Sequence, residues 1–149
     1  MPNTPLGRLR TICLALPDAH EARAWGEPTF RVRGKIFAMH ADASNHHGAG
    51  RPAVWVKAAP GNQELMIKAA PHRFFRPPYV GPSGWIGIWL DGNVPWTVVR
   101  QLVTDAWRLT APKRLLAAQG APVGVAAVPR KPRLPRRARR RVRRARARA

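Results

Sequence analysis

The densest group of side chains that could do chemistry lies at the end of this chain, in residues 130–149. These twenty residues hold twelve positive charges and no acid, and the others are Pro, Ala, Leu and Val. So little apolar area and so much self-repulsion prevent collapse, so we predict a disordered tail. Its charges would bind phosphate groups through attraction that does not depend on nucleotide sequence. The twelve residues are Arg130, Lys131, Arg133, Arg136, Arg137, Arg139, Arg140, Arg141, Arg143, Arg144, Arg146 and Arg148.

This tail points to a polyanionic partner, and nucleic acid is the most abundant polyanion in a cell. The codons for Arg, Ala, Pro and Gly are GC-rich, so compositional drift is the alternative origin of the tail. Residues 1–129 are basic as well, with fifteen Lys and Arg against seven Asp and Glu, a net charge of +8. Of the total charge of +20, the tail therefore contributes +12, and its removal would leave a basic domain.

A second basic group lies where the sequence predicts a β-hairpin. Residues 29–33 alternate, with Phe30 and Val32 on one face and Arg31 and Arg33 on the other. Lys35 follows the turn, so three positive charges cluster at the hairpin tip. Such a tip suits contacts with a nucleic-acid backbone or groove. The alternative is an ordinary solvated face that blocks pairing at the sheet edge.

Further basic residues accompany aromatic ones in the middle of the chain. Lys57 lies opposite to the apolar residues of its predicted strand and extends the same basic surface. Arg73 and Arg76 border an extended loop that contains Tyr79, with Trp85 nearby. Basic and aromatic side chains together can hold single-stranded nucleic acid by stacking. The alternative is that the aromatic residues are core or loop anchors.

Catalytic and metal-binding patterns are not found in the sequence. Paired carboxylates, a Ser-His-Asp series, a phosphate-binding glycine loop and a CxxC pair are all missing. Asp42, His46 and His47 could form a metal trio, but adjacent histidines in a loop point apart. Cys13 lies on an apolar helix stripe, which favours a core residue over a nucleophile. We therefore expect no catalysis, no metal and no cofactor.

The composition predicts one folded domain, residues 1–119, a linker, residues 120–129, and the tail, residues 130–149. About 120 residues suit a single core. One cysteine excludes a disulfide framework and fits a reducing compartment. No apolar run reaches the roughly 20 residues of a membrane span, and no secretory signal is evident. We expect a cytoplasmic protein with no membrane association.

Local patterns predict the order of the secondary structure. Thr4-Pro5 begins a helix that Pro17 stops, and Arg33-Gly34 forms the turn of the hairpin. The predicted strands are residues 29–33, 35–40, 53–58 and 85–90, and the later helices are residues 63–70 and 95–110. Gly87 interrupts the last strand, where another backbone or ring is expected to approach closely. These short connections predict an α+β fold, an antiparallel sheet with helices on one side.

A series of short motifs in this order resembles the MmcQ/YjbR family over about residues 6–117. The motifs are Leu16-Pro17, Trp25-Gly26-Glu27-Pro28-Thr29-Phe30, Gly34-Lys35-Ile36-Phe37-Ala38, Trp55-Val56-Lys57, Arg73-Phe74-Phe75, Pro77-Pro78-Tyr79-Val80-Gly81, Gly84-Trp85-Ile86-Gly87 and Ala111-Pro112-Lys113-Arg114. The resemblance implies a small α+β domain of the YjbR/CyaY-like kind. It also implies DNA binding, because members are commonly described as binding DNA through paired hairpins. The related frataxin-type iron proteins use acidic surfaces, and seven acids do not support an iron role here. The Arg-rich tail lies outside the resemblance.

These observations favour a nucleic-acid-binding protein, with DNA preferred over RNA as the partner. Phosphate contacts from the hairpin and tail would dominate, because no base-reading helix is predicted. Such a protein would be cytoplasmic, with association to the nucleoid included, and a monomer is favoured. Two alternatives stay open. One is a protein-interaction module, and the other is a small-molecule binder or enzyme that uses a pocket lined by Trp25, Phe37, Tyr79 and Trp85.

Overall fold

A six-stranded antiparallel sheet forms the centre of the part of the chain that the structure, a computed structural model, describes: residues 4–44 and 50–118. Its strands are β1 (Ala19–Ala24), β2 (Glu27–Val32), β3 (Lys35–Ala41), β4 (Ala53–Val56), β5 (Phe74–Phe75) and β6 (Ile86–Trp89). They are arranged in the order β1-β2-β3-β4-β6-β5. The predicted α+β class with an antiparallel sheet is confirmed. The predicted linker and tail lie outside the described residues.

Two tight hairpins join the first three strands. In each turn, both central residues have positive φ, 52° and 77° at Trp25-Gly26 and 51° and 80° at Arg33-Gly34. This is the two-residue hairpin geometry that matches the twist of antiparallel strands. The predicted turn at Arg33-Gly34 is confirmed. The strand β1 was not predicted; its residues, 19–24, pair with β2 along their whole length.

A β-bulge in β3 decides which side chains share a face of the sheet. Phe30 pairs with Ala38, but Arg31 pairs with Ile36, so Phe37 has no partner in β2. One extra residue in a strand reverses the alternation of side chains beyond it. Ile36 therefore lies on the same side as Met39, and the ring of Phe37 is buried on the opposite side.

The helices pack on one face of the sheet, as predicted. They are α1 (Pro5–Leu14), α2 (Asn62–Ala69), α3 (Trp96–Thr110) and α4 (Lys113–Ala118), and residues 81–83 form a short 3₁₀ turn. The core between helices and sheet contains, among others, Leu9, Cys13, Phe30, Val32, Phe37, Val54, Val56, Ile86, Ile88, Val99, Val103 and Ala106. Within the described residues, no helix is long and apolar enough to cross a membrane.

Helix ends follow the local sequence with small corrections. Thr4 caps α1 by accepting a hydrogen bond from the backbone N–H of Gly7 at 3.0 Å, and Pro5 begins the helix as predicted. The cap of α2 is Gly61 with φ of 86°, and not Asn62, which is already helical. The helix α4 was not predicted. On α3, Trp107 is buried and its indole N–H donates to the carbonyl of Pro17 at 3.0 Å, which fixes α3 to the segment after α1.

Candidate functional site

The face of the sheet opposite to the helices, which we call the open face, is aromatic. Four buried residues form its centre, and five partly buried apolar residues pack against them. They are Met39, Ala41, Ala53 and Trp55, with Ile36, Phe75, Val80, Trp85 and Trp89 around them. Large apolar side chains outside the main core indicate a binding surface when they enclose a concave space.

A cavity of about 470 Å³ lies on this open face. Strands β3 and β4 form its floor, and the β1–β2 turn and the connection between β5 and β6 supply walls. The lining residues are Trp25, Glu27, Ile36, Met39, His40, Ala41, Trp55, Tyr79, Val80 and Trp85. Its volume falls in the range of about 300–1,000 Å³ that is usual for small-ligand sites. A second depression shares Trp25, Glu27 and His40 with the cavity, so these residues belong to both.

Two aromatic residues at the cavity are exposed and have an unusual backbone conformation. Trp25 has 74% and Tyr79 has 76% of its surface exposed, and their φ angles are 52° and 64°. A bulky residue with positive φ is uncommon, and such strain tends to gather at functional sites, at a cost of about 1–3 kcal/mol each. The fold therefore places two largely exposed aromatic residues at an apolar cavity.

Polar groups at the cavity are few and mostly paired. Glu27 and His40 are buried, and the Glu27 carboxylate lies 3.1 Å from Nδ1 of His40 and accepts the backbone N–H of Asp42 at 3.0 Å. Trp55 differs, because its indole N–H is buried without a hydrogen-bond partner in the described residues. A buried donor without an acceptor costs about 1–3 kcal/mol.

Beside the cavity, stacked aromatic rings pack on the sheet at β5 and β6. The ring of Phe75 lies over Gly87, as the prediction of a close approach at Gly87 requires, and stacks on Trp89 with centroids 4.0 Å apart. The guanidinium of Arg51 lies 4.5 Å above the Trp89 ring and forms two hydrogen bonds with Asp91, at 2.7 and 2.8 Å. These bonds hold the pKa of Asp91 below its usual value.

The three basic residues of the predicted hairpin differ in exposure and in their partners. Arg31 is half-buried, and its Nε donates to the hydroxyl of Thr29 at 3.1 Å. Arg33 is exposed in the turn and forms an ion pair with Asp18 at 2.8 Å. Lys35 is exposed, with no ion pair among the described residues. Phe30 and Val32 are fully buried on the opposite side, as predicted. Arg31 and Arg33 do not share a solvent face of the strand, because β2 ends at Val32 and Arg33 lies in the turn.

The remaining basic candidates divide into solvated and engaged residues. Lys57 is exposed at the end of β4. Arg76 is exposed, and its side chain lies against Gly81. Arg73 is mostly buried, and its Nη1 donates to the carbonyls of Trp89 and Asp91 at 3.0 and 2.9 Å, so it holds the loop after β6. The twelve basic residues of the tail, 130–149, lie outside the described residues.

Within the described residues, the groups considered for metal and thiol chemistry do not form a metal or reactive-thiol site. Within residues 4–44 and 50–118, no three metal-binding side chains converge. His46 and His47 lie outside the described residues, and Asp42 is engaged with Ser44, which lowers the pKa of the Asp42 carboxyl. Cys13 is fully buried, and this burial raises the pKa of its thiol. Cys13 is therefore a core residue, as predicted.

The cavity agrees with three of the four pocket residues named from the sequence. Trp25, Tyr79 and Trp85 line it, whereas Phe37 lies in the core on the helix side, because the bulge turns its ring away. The sequence reasoning missed seven lining residues: Glu27, Ile36, Met39, His40, Ala41, Trp55 and Val80. The alternation of β4 places Trp55 opposite to its valine neighbours and was the available signal for it.

Comparison with known proteins finds a matching family model and a similar solved structure. Residues 14–109 match the family model YjbR. The structure is similar to the crystal structure of the Deinococcus radiodurans protein DR2400, which is described by the family domain DUF419. The TM-score is 0.64 at 19% sequence identity, and the similarity covers 86% of this chain and 99% of that one. Among curated proteins, none matches the sequence.

Proposed function

The chain belongs to the YjbR family, and we propose that it binds nucleic acid, with DNA preferred, mainly through phosphate contacts. The observation that carries the proposal is the charge of the chain and the way it is distributed. Residues 1–129 have a net charge of +8, and residues 130–149 add +12. Charges of this density release counterions from a nucleic acid on binding, which supplies affinity without sequence preference.

Most positive charge of the domain is available to an outside partner. The ion pairs of the described residues use three of the seven acids: Glu21 pairs with Arg10, Asp18 with Arg33, and Asp91 with Arg51 and, at 3.9 Å, with Arg73. A fourth acid, Glu27, lies at hydrogen-bond distance from His40. Within the same residues, Arg31, Lys35, Lys57 and Arg76 form no ion pair. These four are the domain's leading phosphate contacts in this proposal. Arg33 and Arg73 have internal partners and would contribute less.

The first test separates the tail from the domain. If about eight tail charges contact phosphates, the logarithm of the association constant should fall with the logarithm of the salt concentration at a slope near −7, from about −0.9 per contact. A variant that ends at Gln119 should show a much flatter slope in the same titration. The measurement is fluorescence anisotropy with labelled DNA and RNA of equal length. An unchanged slope would show that the tail does not touch the nucleic acid.

The second test addresses the hairpin in the variant that ends at Gln119. Replacing Arg31, Arg33 and Lys35 with Ala should weaken binding similarly for all probe sequences, because phosphate contacts carry no sequence information. The matched control replaces Arg100, Lys113 and Arg114 with Ala. These three residues are exposed on the helices, and the replacement removes the same amount of charge. Equal weakening in both triple variants would mean that net charge alone, and not the hairpin, attracts the nucleic acid.

The proposal concerns binding in the cytoplasm by a protein that carries out no reaction of its own. The basic charge supports the binding, and no catalytic pattern is found in the sequence. Salt-insensitive binding to a defined protein would instead favour a protein-interaction module. Thermal stabilisation by a metabolite, with no effect of DNA or RNA, would favour a small-molecule binder.

A further inference from the structure

We propose that the cavity on the open face binds one unstacked base of a single-stranded nucleic acid. This inference rests on the proposed function, because it names what the phosphate contacts would bring to the cavity. It adds a preference for single strands over duplexes, which phosphate contacts alone do not provide. Three features of the described residues support it: the aromatic walls, a buried donor without a partner, and flanking positive charge.

The aromatic walls suit a flat ring. Trp25, Tyr79 and Trp85 stand around a floor of apolar side chains, and the first two are exposed in strained conformations. Aromatic side chains on a sheet face are a common platform for bases that have left the stack. Trp25 and Tyr79 border the cavity with much of their surface exposed, so stacking against a base would bury further apolar area.

The buried indole N–H of Trp55 offers a hydrogen bond that the described residues do not satisfy. Trp55 lines the cavity and is 5% exposed, and its Nε1 has no acceptor. Every base carries ring nitrogen or carbonyl acceptors at its edge. A base that enters the cavity would bring such acceptors beside Trp55, which lines it. A purely apolar ligand would leave this donor unpaired.

Flanking charge distinguishes a base within a strand from a free planar molecule. Arg31 pairs with Ile36, which lines the cavity, across β2 and β3, and Arg76 belongs to the loop that carries Tyr79. Within the described residues, these side chains form no ion pair. A strand that places one base in the cavity would therefore run its phosphates past positive charge on either side.

The experiment compares probes of equal charge. Full-length protein is titrated, at raised salt that weakens the tail's contribution, with a labelled duplex bearing a four-nucleotide 3′ overhang. The overhang consists of thymidine, of adenosine, or of abasic residues that keep every phosphate. We expect the overhangs with bases to bind about 5- to 150-fold more tightly than the abasic one, from the usual stacking contribution of one base. Binding should also quench tryptophan fluorescence.

Variants assign the difference to the cavity. Trp25→Asn and Tyr79→Asn remove the rings, and Asn tolerates positive φ, so the turns are kept. Each should reduce the preference for bases at least severalfold and leave affinity for the abasic probe unchanged. Trp55→Phe keeps a ring but removes the hydrogen-bond donor, and it should also reduce the preference for overhangs with bases. The matched control is Trp89→Phe, on the same face but outside the cavity lining.

The outcomes distinguish this inference from the proposed function. If all three overhangs bind equally, with a steep salt dependence, the cavity holds no base and the phosphate contacts stand. If no probe binds at all, the proposed function fails as well. If free adenosine or thymidine quenches the fluorescence while the overhangs bind equally, the cavity takes a free base, and the inference is overturned.

Discussion

Gly87 offers a quantitative test of the packing on the open face. A Cβ added to this residue would lie 2.5 Å from Cε1 of Phe75, with two further ring atoms still closer, whereas ordinary contact begins near 3.4 Å. The Phe75 ring would have to move by about 1 Å, and its stack on Trp89, with centroids 4.0 Å apart, opposes this movement. Overpacking of this kind costs about 1–3 kcal/mol. Since Gly to Ala otherwise gains about 0.4–1 kcal/mol through the unfolded chain, the net change for Gly87→Ala should be a loss of about 1–2 kcal/mol.

The assay is a double-mutant cycle with Phe75, measured by urea unfolding. Phe75→Ala alone should also destabilise the protein, because a stacked aromatic pair is lost. Once the ring is removed, however, Gly87→Ala should become neutral or stabilising by up to about 1 kcal/mol. The coupling free energy between the two positions should therefore reach about 1–3 kcal/mol. If Gly87→Ala leaves the wild-type stability unchanged, or if the two substitutions are additive, the reasoning about this contact is refuted.

Three further predictions concern single groups. Because Cys13 is buried and its thiol pKa is raised, a disulfide reagent at pH 8 should modify it slowly in the native protein and readily in urea, whereas fast native labelling would contradict the core assignment. The pKa of Asp91 is lowered in the fold, so its pair with Arg51 stabilises the protein above about pH 4 and loses this effect as the pH falls through the pKa of the folded state. Urea unfolding of Asp91→Asn should show a loss of under about 1 kcal/mol at pH 7, and this loss should vanish in acid. Trp107→Phe removes the part-buried hydrogen bond to the Pro17 carbonyl and should lower the free energy of unfolding by about 1–3 kcal/mol, while an unchanged urea midpoint would mean that this bond is not needed.

Elements with strong local signals could be predicted from the sequence. The hairpin at Arg33-Gly34 follows from a glycine in a short turn between alternating strands, and α3 follows from its helical apolar spacing. The strand β1 was missed because its partly buried residues are alanines, Ala19, Ala22 and Ala24, whose spacing carries no hydrophobic alternation. On α3, the apolar Leu109 is 44% exposed, whereas Trp107 is 3% exposed. Trp107 turns inward because its ring and N–H find a tertiary partner in Pro17, which no local pattern reveals.

The candidate site was only partly predictable, for a related reason. Trp25, Tyr79 and Trp85 were grouped by aromatic character, and the fold brings them together from three separate segments. Phe37 was misassigned because uninterrupted alternation would place it beside Met39, and the bulge reverses its side. Bulges depend on pairing with a distant strand, so the sequence of β3 alone does not mark them.

The alternation in β4 makes the cavity and the core depend on the same strand pairing. Val54 and Val56 complete the core beneath the helices, and Trp55, between them, faces the cavity. A shift of β4 by one residue against β3 would move tryptophan into the core and valines to the cavity, so both would be lost in one step. Insertions within this strand should therefore disrupt the core and the cavity together. In the YjbR fold, the open face can change its chemistry only by substitution at fixed positions, never by sliding a strand.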